Sequence, residues 1–225
     1  MLGSRPASRR RPRTPVAVAL VAVLALGVAG GWTWWSGRPD RWVDGSRHGP
    51  WRAVFDGEGR TTSDGSSITL SPRPAARAGV THAGLVVSVG SYRDVRFSVR
   101  MHTLRQLRTG TAPNPWEVGW VVWHYEGPQR FYYFVLKPNG WELGKADPRW
   151  PGAQRFLATG PSPAEGGRAH DVVVRQVGAT VTVDVDGAAV VEFTDTDSPY
   201  PGGSVGVYSE DAEVEFGDLT ATPLP

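Results

Sequence analysis

The residues best suited to binding a ligand are concentrated between positions 116 and 145, in the run WEVGWVVWHYEGPQRFYYFVLKPNGWELGK. This run holds nine of the twenty-three aromatic residues, interleaved with Glu, His, Lys and Asn. Sugar rings present apolar C–H faces that stack on aromatic rings, and hydroxyl groups that need polar partners. The mixture therefore predicts a glycan-binding surface. Its predicted ring contacts are Trp116, Trp120, Tyr133 and Trp141, and its predicted polar contacts are Arg100, His102, His124, Lys137 and Glu142. The alternative interpretation, which applies equally to Trp116 and Trp141, is that these rings fill the core.

Glycoside hydrolysis is an alternative chemistry for the same residues. It uses two carboxyl groups, about 5–5.5 Å apart for retention or about 6.5–9.5 Å apart for inversion. Glu117 and Glu142 are the candidate acids, and the competing interpretation is that they are rim carboxylates that bind a ligand or pair with Arg100 or Lys137. A further acidic row alternates with apolar residues and is predicted to be the solvent-facing side of a strand: Asp211, Glu213 and Glu215.

The elements that would position these residues are predicted to be β-strands. From Trp51 onward, thirteen short runs of alternating apolar and polar residues are separated by turn residues, with 28 Gly and 19 Pro in the chain. Asn139-Gly140 and Asp186-Gly187 each read as the tight turn of a hairpin. This pattern predicts an all-β sandwich of antiparallel strands.

Alternation along each strand predicts which side chains face the core. In DVRFSVRMH the predicted inner residues are Val95, Phe97, Val99 and Met101, opposite Arg96, Ser98, Arg100 and His102. Tyr133 is expected on the open face with Lys137, and Trp120 and His124 are expected to be exposed. The aromatic residues predicted to fill the core are Trp123, Tyr132 and Phe134.

The amino terminus predicts export. Residues 1–14 form a basic tail that is expected to be cytoplasmic, and residues 15–35 run without a charge for about 30 Å as a helix, enough to cross a bilayer. A cleaved signal segment is the alternative for this run. Residues 36–50 are predicted to be a linker and residues 51–225 an extracytoplasmic domain, held at the cell membrane or secreted after cleavage.

Charge and composition exclude several other classes. Five of the 24 basic residues lie in the first fourteen, which leaves 19 basic against 22 acidic groups, so the rest of the chain is mildly acidic and is not expected to bind nucleic acid. The chain has no cysteine, which excludes disulfides and thiolate chemistry. The five histidines are scattered without metal-ligand spacing. The domain is expected to be a monomer.

Three segments, WRAVFDGEGR, FYYFVLKPNGWELGKAD and GGSVGVYSEDAEVEFGDLTAT, resemble the concanavalin A-like lectin and glucanase superfamily. Within it the chain is similar to laminin-G-like and family-16-glycosidase-related domains exported by bacteria, over residues 51–222. The resemblance implies a two-sheet antiparallel jelly roll with a concave glycan-binding side. The E-x-D-x-(x)-E acid pattern of family-16 enzymes is absent.

Many members of that superfamily hold a structural calcium where the first and last strands meet. Asp56 and Asp218 are the residues of this chain that could supply oxygen ligands there, and the alternative is that both are ordinary turn residues. The leading functional hypothesis is thus a membrane-tethered domain that binds glycan or polysaccharide through aromatic side chains. A glycoside hydrolase and an envelope scaffold that packs another protein are the alternatives.

Overall fold

The computed structural model describes residues 39–161 and 167–225. This part of the chain is all-β, with two antiparallel sheets, a short 3₁₀ turn at Pro151–Ala153 and no α-helix. It forms a β-sandwich, as the sequence predicts. The predicted tail, residues 1–14, and the predicted membrane segment, residues 15–35, lie outside the described residues. Within the described ranges, no helix has the length and apolar character needed to cross a membrane.

Each sheet has eight strands. Sheet I has the order β1-β4-β5-β16-β7-β12-β13-β14, and sheet II has the order β11-β10-β9-β8-β15-β6-β3-β2. The strands of sheet I are β1 Asp40–Trp42, β4 Arg60–Ser63, β5 Ser67–Ser71, β7 Val95–Gln106, β12 His170–Val177, β13 Thr180–Val185, β14 Ala188–Thr194 and β16 Ala212–Pro223. Those of sheet II are β2 Arg47–His48, β3 Trp51–Phe55, β6 Ala83–Ser88, β8 Gly119–Gly127, β9 Arg130–Lys137, β10 Gly140–Ala146, β11 Gln154–Gly160 and β15 Ser204–Glu210.

The core lies between the inner faces of the two sheets. The predicted inner residues of β7 are all buried in it, and so are the aromatic residues predicted to fill it, Trp123, Tyr132 and Phe134. Period-two alternation predicted these inner faces correctly because side chains at every second position lie on the same side of a pleated strand and are buried together.

The last strand carries acidic residues on the solvent side of sheet I, as predicted. Glu213 pairs with Arg105 of β7, and Glu215 lies opposite His102. Asp211 does not belong to this row, because it occupies the turn before β16 with a positive φ of 40° and is fully buried. A left-handed backbone conformation at this position breaks the alternation that the sequence suggested.

The two predicted hairpins differ in their turns. Asp186 and Gly187 both have positive φ, 52° and 79°, as a tight primed turn requires, and Val185 pairs with Ala188. In the other hairpin Lys137 pairs with Gly140, so the loop residues are Pro138 and Asn139 rather than Asn139 and Gly140.

The sandwich begins earlier than the sequence indicates. The compact unit starts at Pro39, and strands β1 and β2 both lie within residues 36–50, the predicted linker. Trp42 of β1 is buried in the core and pairs with Thr61 of β4. Residues 39–50 therefore contribute structure to the domain.

Candidate functional site

The face of sheet II that points away from the core carries a second apolar cluster, which we call the outer face. A continuous chain of aromatic rings runs across it on strands β15, β8 and β9. The successive ring centroids lie 5.3 Å apart for Tyr208 and Trp120, 4.9 Å for Trp120 and Tyr133, 6.5 Å for Tyr133 and Phe131, and 5.8 Å for Phe131 and Tyr125. Such spacings are typical of favourable aromatic pairs.

A hydrogen-bonded polar group borders the ring chain on β9, β10 and β11. The Tyr133 hydroxyl donates to Glu142 Oε1 at 2.8 Å and accepts from Gln154 Nε2 at 2.7 Å. Lys137 Nζ donates to Glu142 Oε2 at 2.7 Å. Burial raises the pKa of the Tyr133 phenol well above its ordinary value, and the negative charge of Glu142 raises it further. Tyr133 therefore stays neutral and keeps its donor bond to Glu142.

Gly144 makes room for this arrangement. It pairs with Tyr133 on one side and with Phe156 of the edge strand β11 on the other. A Cβ at Gly144 would overlap the Tyr133 phenol, so the ring occupies the space of the absent side chain and extends towards β11. Beyond it, Phe156 is 61% exposed, and Thr159, opposite Glu142, is exposed as well. An open ring thus lies beside the polar group.

We expect Gly144→Ala to lower the free energy of unfolding by about 1–3 kcal/mol, because the added methyl group overpacks against the Tyr133 ring. The displaced ring would also lose its bond to Glu142. Chemical denaturation monitored by tryptophan fluorescence measures the change. Gly127→Ala in β8 is the matched control, since its Cβ would meet no atom within 4 Å. Equal stability of the two variants would contradict this account of Gly144.

The far end of the outer face holds a buried ion cluster that the sequence did not predict. Arg108 Nε donates to Glu117 Oε1 at 2.5 Å, and its Nη2 donates to Asp211 Oδ2 at 2.9 Å. Glu210 lies nearby and accepts a bond from the Tyr208 hydroxyl at 2.5 Å. Burial raises the pKa of Glu210 despite the bond from Tyr208, and the negative charges of Asp211 and Glu117 raise it further.

Three of the four predicted ring contacts are buried and are not open to a ligand. Trp120 and Tyr133 do lie on this face, yet they are only 6% and 1% exposed because neighbouring rings cover them. The expected exposure of Trp120 is therefore wrong. Trp141 is in the core between the sheets, stacked on Phe134 with 6.0 Å between centroids. Of the four predicted rings, Trp116 alone is substantially exposed, at 43%.

The expected exposure of His124 is also wrong. Its backbone has a positive φ of 50°, in the part of β8 where the register with β9 shifts, so it leaves the alternating pattern. The ring is fully buried beside Tyr132, and Nδ1 lies 2.9 Å from the Tyr200 carbonyl oxygen. Burial lowers the pKa of His124 despite that bond. The imidazole has a structural position rather than a ligand-facing one.

Two predicted polar contacts belong to the other sheet. Arg100 and His102 lie on β7, on the solvent side of sheet I, and Arg100 is 3.9 Å from Asp171. The predicted pairing of Arg100 with an acid of the aromatic run is wrong for this reason. Lys137 does pair with Glu142, as the alternative interpretation held.

The two candidate catalytic acids have separate partners. Glu117 is fully buried and bonded to Arg108 and Asn114, whereas Glu142 is bonded to Tyr133 and Lys137. No contact joins the two carboxylates within the described ranges. Hydrolysis by this pair stays a prediction without a geometric observation in its favour.

The predicted calcium ligands lie on different sheets. Asp56 follows β3 of sheet II and is 3.9 Å from Arg41, while Asp218 lies in β16 of sheet I with a positive φ of 53°. Among residues 39–161 and 167–225, no group of three or more His, Cys, Asp or Glu side chains is placed to hold a metal ion. Calcium binding stays a prediction.

Phe156 is the outer-face residue that sequence reasoning missed. Alternation along the run QRFLAT puts Gln154 and Phe156 on one side of a strand. What the sequence lacked was the neighbour relation of β11 to β10, which sets Phe156 beside Gly144 and Gln154 against Tyr133.

No family model matches this chain, and no curated protein matches it. Its fold is similar to several solved structures. The carbohydrate binding module CBM66 from Bacillus subtilis superposes with a TM-score of 0.55 and 14% identity, covering 76% of this chain and 94% of that one. A protein of unknown function with a galectin-like fold, also from Bacillus subtilis, superposes with a TM-score of 0.54 and 13% identity, covering 76% of this chain and 88% of that one. A putative glycosyl hydrolase from Parabacteroides distasonis superposes with a TM-score of 0.50 and 12% identity, covering 80% of this chain and 91% of that one. At such identities the likeness shows a shared two-sheet β-sandwich fold and does not by itself show a shared function.

Proposed function

We propose that this protein binds glycan on the outer face of sheet II. The observation that carries the proposal is the open ring of Phe156 on the same face as the bonded side chains of Tyr133, Glu142, Lys137 and Gln154. A sugar stacked on Phe156 would place its hydroxyl groups near this polar group and near Thr159. The similarity to a carbohydrate binding module supports the same function.

The proposed site differs from the predicted one in its stacking ring. Trp120 and Tyr133 pack against each other and are buried, so they expose little ring surface to a ligand. Their packing holds the neighbouring polar side chains in fixed positions. Phe156 supplies that surface at the edge of the sheet, and Trp116 supplies a second exposed ring at the loop before β8. Pre-positioned polar groups raise affinity because fewer rotamers are lost on binding.

The location that fits this function is outside the cytoplasmic membrane. The uncharged residues 15–35 and the arginines before them support an anchor with the domain on the far side, and cleavage would release the same domain. Such a protein would meet polysaccharides of the cell envelope or the surroundings.

We expect Phe156→Ala to weaken binding about twofold to tenfold, because loss of an aromatic stack costs about 0.5–1.5 kcal/mol and about 1.4 kcal/mol corresponds to a factor of ten. The measurement is a pull-down and titration of the full-length protein, kept in detergent, with cellulose, chitin and xylan as probes. Phe156→Trp should keep the affinity, since it keeps an aromatic plane.

Val177→Ala is the control for this experiment, because Val177 is 53% exposed but lies on sheet I. It should leave binding unchanged. If the protein retains none of the three polysaccharides, or if Phe156→Ala binds as well as the unaltered protein, the outer-face proposal is wrong.

A further inference from the structure

A cavity of about 530 Å³ opens between the two sheets at one edge of the sandwich. It is lined by residues of β1, β4, β5 and β16 from sheet I and by residues of β2 and β3 from sheet II. Strands β1 and β2 are the last strands of their sheets, so the cavity lies where the sandwich ends. We call it the edge pocket. It shares no lining residue with the outer-face site.

The apolar part of the edge pocket is aromatic. Trp42 is stacked on His48 with 4.2 Å between ring centroids and 3° between ring planes. Trp51, from the next strand of sheet II, also lines the cavity and is partly exposed. Ile68 and Leu219 also line the cavity. Flat rings of this kind bind the C–H faces of a ring-shaped ligand.

The polar part of the edge pocket consists mainly of hydrogen-bond acceptors. The hydroxyl groups of Ser66 and Ser67 donate their protons to Asp64, so their lone pairs stay available. The Asp40 carboxylate is exposed on β1 and adds an acceptor. Among the described residues, the lining includes no Lys and no Arg. A ligand with many hydroxyl donors suits this lining, whereas a carboxylate or phosphate would meet neither an ammonium nor a guanidinium group from these residues.

We propose that the edge pocket is a second binding site, which takes a neutral sugar unit of one or two rings. The volume lies within the range of about 300–1,000 Å³ that is usual for small-molecule sites. The sugar ring stacks on Trp51, and its hydroxyl groups donate to Asp40 and to the serine oxygens. This site does not depend on the outer face and stands whether or not that face binds glycan.

The test is a titration of the full-length protein, kept in detergent, with three neutral probes: methyl α-glucoside, methyl β-galactoside and N-acetylglucosamine. Tryptophan fluorescence and saturation-transfer NMR report binding. We expect at least one probe to saturate the site at millimolar concentration. Trp51→Ala and His48→Ala should each weaken that binding at least tenfold, and Phe156→Ala should leave it unchanged.

Asp40→Asn is a second variant that tests binding without an expected change in stability, because Asp40 is exposed and its side chain makes no hydrogen bond within the described ranges. It should weaken binding about threefold to tenfold while thermal unfolding stays the same. The proposal is overturned if none of the three sugars binds, if binding persists in both Trp51→Ala and Asp40→Asn, or if glucuronate competes as well as the neutral probe. Loss of binding in Phe156→Ala alone would assign the signal to the outer face and would also overturn it.

Discussion

Arg108→Met should lower the free energy of unfolding by about 3–5 kcal/mol, the usual cost of leaving a buried charge without its partner. The Arg108 side chain is 3% exposed and bridges Glu117 and Asp211, which are fully buried. It also donates to the carbonyl oxygens of Arg77 and Val80, so it holds the chain before β6 against the end of β7. Methionine fills part of the volume but supplies no positive charge.

The deficit of Arg108→Met should depend on pH with a defined sign. Without the guanidinium, the fully buried carboxylates of Glu117 and Asp211 would have lost their cation, and a buried charge without a partner disfavours folding. That cost applies only while the carboxyl groups are ionised, so it grows as the pH rises above the range in which free carboxyl groups titrate, about pH 4. The variant should therefore be closest to the unaltered protein near pH 4 and furthest from it at pH 7.

Chemical denaturation at pH 4, 5.5 and 7 measures both effects. Arg105→Met is the matched control, because Arg105 pairs with Glu213 on the surface with 64% of its side chain exposed. Exposed pairs of this kind contribute about 0–1 kcal/mol. Two results would show that the buried cluster does not stabilise the fold in this way. One is a loss of unfolding free energy in Arg108→Met equal to that in Arg105→Met, and the other is a loss that becomes larger as the pH is lowered.

Lys145→Met is expected to be comparably destabilising, again by about 3–5 kcal/mol. Lys145 Nζ is fully buried, donates to Asp195 Oδ2 at 2.7 Å and to the Asp197 carbonyl oxygen at 2.6 Å, and so ties β10 to the chain after β14. Burial raises the pKa of Asp195, but the bonds from Lys145 and Tyr132 outweigh it, and the net pKa is lowered. Removal of the ammonium group leaves Asp195 with the Tyr132 hydroxyl as its remaining side-chain donor.

The chain's other lysine supplies the control for this prediction. Lys137 pairs with Glu142 at the same distance, 2.7 Å, but their side chains are 17% and 11% exposed, against 0% and 3% for Lys145 and Asp195. Lys137→Met should therefore lower the free energy of unfolding by less than Lys145→Met does, because water can partly solvate Glu142 once the lysine is removed. A double-mutant cycle of Lys145→Met with Asp195→Asn, measured by urea denaturation, should give a coupling energy of about 2 kcal/mol or more. Additive single effects would falsify a tight Lys145–Asp195 interaction.

The buried ion pairs of Arg108 and Lys145 could not be predicted from the sequence. Arg108 and Asp211 are separated by 103 positions, and Lys145 and Asp195 by 50, so no local pattern connects them. Arg100 is another residue whose neighbours depend on strand order. Its alternation in β7 correctly predicted a solvent-facing side chain, yet the sequence did not reveal that β7 and the aromatic strands belong to different sheets.

Burial on the outer face is a related case. Alternation placed Tyr133 opposite the core, which the structure confirms, and then implied that a residue opposite the core is exposed. The implication failed because rings from β8, β9 and β15 cover one another, and such cover depends on which strands are neighbours. His124 failed for a more local reason, since a register shift with a positive φ reversed its direction.

The sequence by itself determined the all-β class, most strand faces, the Asp186-Gly187 turn and the core rings Trp123, Tyr132 and Phe134. These features follow from interactions between residues a few positions apart, so a local pattern is sufficient. Only the tertiary structure decided that Phe156 is the open ring of the outer face, that Trp141 is internal, and that Trp42, His48 and Trp51 surround a pocket. Those outcomes depend on strand order and on the covering of one side chain by distant ones, which strand alternation does not encode.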